Sequence, residues 1–418
     1  MTDQRVPRVA FFTDSFHEVN GVALTSRQFA HHARSRFCPF LSIHPGPRTA
    51  HWTRGSYQTL ELAHSKALLR LEHDLAFDLC FFRHRRTVRN TVEAFQPDLV
   101  HVTGPGHMGM LGAFAAYDLG VPLVASWHTN VHEFGSRRLR KLLGGLPESW
   151  RNAAARLAER RSLDLTVRFY QLARMTFAPN PELVAMLASR TGRPAFLMQR
   201  GIDTEVFSPA KRTRPPGTFV IGYVGRLSAE KNVRLFVRLN EILKSRGLID
   251  YRFLIVGEGS ERAWLRQHLE NADLPGVLKG EALAEAYASM DALVFPSETD
   301  TFGNVILEAL ASGVPALVSD RGGPKFLVED GVTGFVAQDA DAFADKLTEL
   351  SLDPARRDQM CKSARQAALG RSWDAVFAGV YEQYRLGIEG GTLAGLREYP
   401  IPHGSGPSSA ARYKTFPT

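Results

Sequence analysis

Cysteine is scarce: Cys38, Cys80 and Cys361 are the three in 418 residues, and none lies in a CxxC. A disulfide scaffold and a zinc-finger spacing are therefore excluded. No apolar run approaches the roughly 20 residues of a membrane span. Met1 to Arg8 is polar and basic, with only a short apolar stretch after it, which is no signal-peptide core. A cytoplasmic protein is expected. There is no Gx4GK[ST] loop and no complete GxGxxG, so ATPase and NAD readings lack their motifs. Nucleic acid lacks support as a partner, with no finger spacing, no aromatic RNP pattern and no lysine-rich arm. Metal ligands at a recognisable spacing are also missing. His128 and His132 are four apart but follow a strand rather than lying on a helix, and Asp339-Ala340-Asp341 reads as a helix cap. No metal and no other cofactor is expected.

What is present is ordinary globular composition, 44% hydrophobic and 22% charged. The length fits two domains of about 200 residues each. The net charge of +8 is uneven: residues 1–200 carry 26 Lys and Arg against 15 Asp and Glu, and residues 201–418 carry 25 against 28. A basic half beside a slightly acidic one has two readings. It meets an anionic partner, such as a lipid surface or a phosphorylated acceptor, or it is a solvated basic surface.

Short apolar runs alternate with helical patterns. Strands are expected at 9–13, 98–102, 121–127, 177–179 and 195–198, with helices at 23–36, 108–119 and 151–172. The alternation restarts with strands at 219–224, 253–256, 292–295, 316–318 and 334–336. Helices lie between them at 233–244, 261–270, 304–310 and 340–350. This predicts an α/β fold of two doubly wound parallel-sheet domains. Pro and Gly near 208–217 mark the break. The domains are read as 1–200 and 201–372, with a helix at 373–388 and a flexible tail at 390–418. Ligands of such sheets sit beyond the carboxyl ends of the strands.

Several motifs fall at those ends. Gly222-Tyr223-Val224-Gly225-Arg226 closes a strand and precedes Glu230-Lys231-Asn232. A glycine there admits a phosphate to the backbone, and Arg226 and Lys231 supply two cations; a plain glycine turn with solvated cations is the alternative. Asp300-Thr301-Phe302-Gly303-Asn304 leads into a helix whose N-terminal amides favour an anion. Glu308 lies in that helix among Val305, Ile306, Leu307 and Leu310, where a carboxylate needs hydrogen-bonding partners such as sugar or ribose hydroxyls. Val256-Gly257-Glu258-Gly259 is a lone GxG, either a tight turn or a second backbone approach to a nucleotide. In the first half, Gly21 sits where a helix begins and His128 follows a strand.

Taken in order over residues 8–388, these segments resemble the retaining glycosyltransferases of family 4, of GT-B fold. The match is most specific at 222–232 and 300–313. Asp14 to Val22, 97–105 and 124–130 look like the branch that glycosylates lipids: phosphatidylinositol mannosyltransferases, GDP-mannose-dependent mannosyltransferases and sulfoquinovosyl diacylglycerol synthases. The resemblance implies two Rossmann-like domains facing a cleft, with the last helix, about 373–386, crossing back onto the first. Gly21 and Gly225 would admit the donor diphosphate, and Arg226 and Lys231 would bind it. Glu308 would take the ribose hydroxyls. Asp300, Thr301, Phe302, Gly303 and Asn304 would hold sugar and phosphate, and Leu278 and Lys279 would lie against the base. His128 would sit by the donor sugar; His128, Asp300, Arg226 and Lys231 would serve catalysis. One departure is that the family's usual Glu-x7-Glu is Asp-x7-Glu here, from Asp300 to Glu308, and Glu298 is a competitor for the first place. The implied partners are a nucleotide-sugar donor, with GDP-mannose favoured and UDP-hexose second, and a lipid or other glycoconjugate acceptor. An anionic membrane surface is a further expected partner, contacted by the basic stretches 83–86 and 137–143 on the inner face of the membrane. A nucleotide-sugar epimerase and an inactive membrane-binding scaffold are the other readings.

Overall fold

The computed structural model describes residues 5–18, 20–65, 67–72, 75–128, 148–214, 217–248 and 250–388. Asn130, His132, the basic stretch 137–143 and the tail 390–418 lie outside the described residues.

The first half contributes strands β1 (Val9–Phe12), β2 (Phe40–Gly46), β3 (Ala50–Arg54), β4 (Tyr57–Ala63), β5 (Leu68–Glu72), β6 (Leu75–Asp78), β7 (Leu99–Val102), β8 (Leu123–Ser126), β9 (Met175–Ala178) and β10 (Ala195–Leu197). Its helices are α1 (Gly21–Ser35), α2 (Arg85–Phe95), α3 (His107–Leu119), α4 (Glu148–Gln171) and α5 (Pro181–Thr191). The second half adds β11 (Phe219–Val224), β12 (Tyr251–Val256), β13 (Ala272–Gly276), β14 (Ala292–Phe295), β15 (Ala316–Ser319) and β16 (Gly334–Ala337). Its helices are α6 (Leu235–Ser245), α7 (Arg262–His268), α8 (Gly280–Ala288), α9 (Asn304–Ala311), α10 (Ala340–Leu352), α11 (Pro354–Leu369) and α12 (Trp373–Ile388).

Two sheets result, as the strand–helix alternation predicts. The second is wholly parallel, in the order β13-β12-β11-β14-β15-β16, and its winding reverses between β11 and β14, where a crevice opens. The first runs β10-β9-β8-β7-β1-β2-β4-β3 and reverses between β1 and β7. It departs from the expected all-parallel sheet at one edge, where β3 pairs antiparallel with β4. A separate hairpin, β5 with β6, stands apart from both sheets.

Burial explains the sheets. All four residues of β1 are buried, and with period-two alternation they feed opposite faces. Ala10 and Phe12 join one core with Val100, Val102 and Leu111; Val9 and Phe11 join another with Phe29 and Phe40. The second sheet and its helices share a single core built around Ile221, Phe253, Leu293 and Leu317.

Helix α12 follows α11 in sequence but packs on the first sheet's side. Its Phe377 stacks on Phe29 of α1, ring centroids 4.4 Å apart, and Phe377, Tyr381 and Tyr384 complete that core. Burying Phe377 alone contributes about 1.5–3 kcal/mol. Asp374 ties the helix down further, meeting His32 at 2.7 Å and Arg36 at 2.9 Å. Where the chain passes between the halves, a Cβ on Gly201 would lie 2.3 Å from the Trp373 nitrogen. The two crossing strands of backbone therefore touch, and Ile202 N–H donates to Arg371 O at 2.9 Å.

Candidate active site

The loops after β11 and β12 lie backbone to backbone. Gly257 has φ +143, and a Cβ there would stand 1.9 Å from Gly225 O; Gly259 abuts Leu227 O in the same way. The GxG is thus spent on packing one loop against the next. Beyond Gly225, Arg226 is exposed. Lys231 ends a short 3-10 turn, Ala229–Lys231, closed by Asn232 in the left-handed region at φ 53. That turn sends the Lys231 ammonium across to the loop after β14, where Nζ is 2.7 Å from each oxygen of Asp300. Lys231 and Asp300, one a candidate for phosphate and the other for sugar, are therefore ion-paired with each other.

The Asp300 loop is itself clamped. Gly323 N–H donates to Asp300 O at 2.7 Å, and a Cβ on Gly323 would reach 1.9 Å from Thr301 O. Phe302 is buried. Gly303, at φ 100, caps α9 without a side-chain bond, leaving the first amides of α9 open to an acceptor. One turn on, the half-buried Glu308 accepts from Tyr287 Oη at 2.6 Å. Burial raises the Glu308 pKa, while the Tyr287 bond works the other way. Glu298 pairs with Arg321 at 3.1 Å, so it is engaged away from Asp300.

Residues of the first sheet close the site from the other side. Thr301 Oγ1 donates to His128 O at 2.9 Å, and Asn180 Nδ2 donates to Thr301 O at 2.7 Å. Asn20 caps α1 through Ala23 N–H at 2.8 Å, which sets Gly21 at the seam. Asp14, past the end of β1, accepts from Met108 N–H at 3.0 Å and faces His107 Nδ1 at 3.0 Å. Burial raises the Asp14 pKa against the pull of His107 and Met108.

The residue that the sequence did not single out is Arg200. It is 6% exposed and lies over the Phe302 ring at 5.4 Å. Its Nη1 donates to Asn304 Oδ1 at 3.2 Å, and a Cβ on Gly21 would come within 2.3 Å of that same Nη1. Gly21 thus makes room for a guanidinium of this chain. Burial lowers the Arg200 pKa to about 10, partly offset by Asp300; it stays charged at neutral pH. A guanidinium carries five N–H donors, and among the described residues this one has a single acceptor. Only the fold reveals this, because Arg200 is brought to the site by the crossover after β10.

The structure thus brings Gly21, His128, Lys231, Asp300, Thr301, Phe302, Gly303 and Asn304 to one seam, with Arg226 at its rim and Glu308 one turn deeper. Leu278 and Lys279 are not tied into it: Leu278 packs against the second core, and Lys279 is the exposed cap of α8.

For metals, Asp339 caps α10 through Ala342 N–H at 2.9 Å, and Asp341 faces Arg246 at 3.7 Å, as the capping reading of that DxD expects. Among the described residues, one trio, His17, His44 and Glu61, has ligand atoms within 4.8 Å of one another. It lines a pocket of about 220 Å³ together with Arg27, Arg34 and Arg54, whose charges oppose a cation there.

The basic stretch at 83–86 is largely engaged within the protein. Arg83 bonds Asp78 at 2.9 Å, His84 bonds Ala63 O at 2.9 Å, and Arg85 bonds Asp118 at 3.1 Å. Arg83, Arg85, Arg86 and Arg89 are exposed nonetheless. Among the described residues α4 adds a further exposed basic surface, where Arg156, Arg160, Arg161 and Arg168 accompany Leu157 and Leu165, 59% and 69% exposed. Among the described residues, no helix is long and apolar enough to cross a membrane.

Residues 19–206 match the family described as Glycosyltransferase Family 4, and residues 206–367 match Glycosyl transferases group 1. A GDP-mannose-dependent alpha-mannosyltransferase of Corynebacterium glutamicum is 30% identical over 392 residues, covering 91% of this chain and 89% of its own. One of the same description from Mycobacterium tuberculosis is 34% identical over 317 residues, covering 73% and 76%. Among solved structures, a sucrose-phosphate synthase from Thermosynechococcus elongatus superposes with a TM-score of 0.67 at 18% identity, over 91% of this chain and 98% of that one.

Proposed function

The chain belongs to glycosyltransferase family 4, and from that membership we propose that it moves mannose from GDP-mannose to a lipid or other glycoconjugate, retaining the anomeric configuration. The observation that carries this reading is the seam itself, where Arg200, Lys231, Asp300 and Asn304 from both halves converge beside Gly21.

The chemistry follows from charge. Cleaving the sugar–phosphate bond leaves negative charge on the diphosphate and positive character on the sugar. Arg200, Lys231, Arg226 and the amides at the start of α9 stabilise the first. With these cations in place the reaction is proposed to run without a metal. Lys231 exchanges Asp300 for phosphate, and the released carboxylate accepts sugar hydroxyls. Glu308 accepts from the ribose. His128 stands next to the sugar. No side chain serves as a nucleophile: the acceptor hydroxyl attacks on the face the diphosphate leaves, and a phosphate oxygen takes its proton.

The acceptor is proposed to be membrane-borne, met at the cytoplasmic leaflet by the exposed arginines and leucines of α4. Each cation near an anionic leaflet contributes about 1 kcal/mol, and the leucines add apolar burial. Titration calorimetry in EDTA tests the donor. GDP-mannose and GDP are expected to bind, more tightly than UDP-glucose and UDP. Loss of binding in chelator would remove the metal-free part, and preference for the uridine nucleotides would remove the GDP-mannose part. Co-sedimentation tests the surface: binding should need anionic vesicles, weaken with salt and fall when the α4 arginines become glutamine. Equal binding to neutral vesicles, or none to either, would leave a soluble acceptor.

A further inference from the structure

A line of buried hydrogen bonds connects α12 to the seam. The Tyr384 hydroxyl on α12 bonds His101 Nδ1 on β7. His101 Nε2 lies 3.0 Å from Ser126 Oγ at the end of β8, and Ser126 Oγ lies 2.7 Å from His128 Nε2. All four residues are buried.

Counting hydrogens gives this line a direction. A buried phenol must place its one hydrogen, and among the described residues the Tyr384 hydroxyl has His101 Nδ1 as its partner, while its ring packs among those of Phe29, Phe177 and Tyr381. It donates to Nδ1. Burial drives the His101 pKa down to about 3, so the ring is neutral and its hydrogen is on Nε2, donating to Ser126. Ser126, accepting there, gives its own hydrogen to His128 Nε2. His128 is neutral as well, because burial, reinforced by Arg200 and His101, holds its pKa well below the usual value. Its hydrogen is therefore on Nδ1. That atom is buried and has no partner among the described residues, a costly arrangement that a ligand oxygen relieves. Running the line backwards would leave the Tyr384 hydrogen without an acceptor among the described residues.

We propose that Tyr384, His101 and Ser126 are positioning residues that fix His128 as its Nδ1–H tautomer, so that Nδ1 donates a hydrogen bond to an oxygen of the bound donor sugar. The sugar rests on the glycosyltransferase reading above; the tautomer does not. Helix α12 thereby sets the hydrogen-bonding polarity of a histidine at the seam.

Nitrogen NMR of the full-length protein with ¹⁵N-labelled histidine reads the tautomer directly. His128 is expected as Nδ1–H and His101 as Nε2–H, both neutral at pH 7. Finding His128 protonated on Nε2, or charged, would overturn the proposal. Tyr384→Phe keeps the ring and removes the hydrogen that orients the line. It is expected to mix the two His128 tautomers and to lower kcat with GDP-mannose about tenfold, leaving GDP affinity within roughly twofold. A variant with unchanged tautomer and rate, or one with a mixed tautomer and an unchanged rate, would sink the positioning role. If the variant does not fold, the wild-type spectrum still decides. An Nδ1–H His128 in a protein that ignores GDP-mannose would fault the donor assignment alone. An Nε2–H His128 in a protein that turns GDP-mannose over would fault the relay alone.

Discussion

Lys231 and Asp300 satisfy each other at 2.7 Å, and this pairing sets what single substitutions do. On the proposed donor reading, removing the lysine takes a cation from the diphosphate, and it leaves Asp300 without its ion-pair partner. Removing Glu308 leaves the Tyr287 hydroxyl without its acceptor and, on the proposed donor reading, the ribose without one. Each change deletes a charge-assisted hydrogen bond of about 1.5–3 kcal/mol. Lys231→Ala and Glu308→Ala are therefore expected to weaken GDP binding roughly tenfold to a hundredfold by calorimetry; wild-type affinity in both folded variants would show the site to be elsewhere. At this scale the sequence exposed the residues that carry a local pattern. Lys231 follows a strand-end glycine, Asp300 leads a helix, and Gly21 begins one. Arg200 carries no such pattern. Its meaning comes from the lack of a Cβ on Gly21 and the side-chain amide oxygen of Asn304, neither of which is near it in the chain.

Elements with a clean period were legible, among them β11, β14 and α9. Those whose composition misleads were not. Strand β2 is wholly buried yet contains Ser42, His44 and Pro45. Strand β3 is mostly exposed. Helix α2 opens with Arg85 and Arg86, so it read as a basic patch although its Val88, Val92 and Phe95 are buried. The hairpin of β5 and β6 has a polar anchor that no hydrophobic pattern reports. Asp78 accepts from Ser65 N–H at 2.8 Å, Cys80 N–H at 2.9 Å and Arg83 at 2.9 Å. Burial alone would raise its pKa, but the bonds from Ser65, Arg83 and Cys80 outweigh burial and hold it well below the usual 3.8. A depressed carboxylate stabilises the fold in full above its unfolded pKa, and that contribution is lost as pH falls through the folded one. The melting temperature should therefore drop as pH falls below about 4, and Asp78→Asn should flatten that drop; parallel curves for the two proteins would count against the anchor. A glycine sets the matching test in the second half. Gly257→Ala puts a Cβ 1.9 Å from Gly225 O at φ +143, and strain of this kind costs about 1–3 kcal/mol. Urea denaturation should show that loss, and an unchanged midpoint would mean the two loops separate freely.

Across the whole molecule, the two doubly wound sheets were legible because strand–helix alternation stops and starts again around 208–217. The seam between them was not. It depends on Thr301 meeting His128 and Asn180, and on Lys325 meeting Glu182 at 2.8 Å, contacts between residues that no sequence period relates.

The return of α12 has a consequence for how the protein is made. Phe29 and Phe40 emerge early from the ribosome, but Phe377, Tyr381 and Tyr384, which seal them, come near the end. At about 5–20 residues per second the intervening chain takes roughly 17–70 s to synthesise. Throughout that interval one face of the first sheet is an unfinished apolar surface, a natural client for a chaperone. A fragment of residues 1–200 should bind a hydrophobic dye strongly, and a peptide spanning 371–388 should quench that signal. A fragment that stays dark on its own would mean the early chain finds another way to cover Phe29.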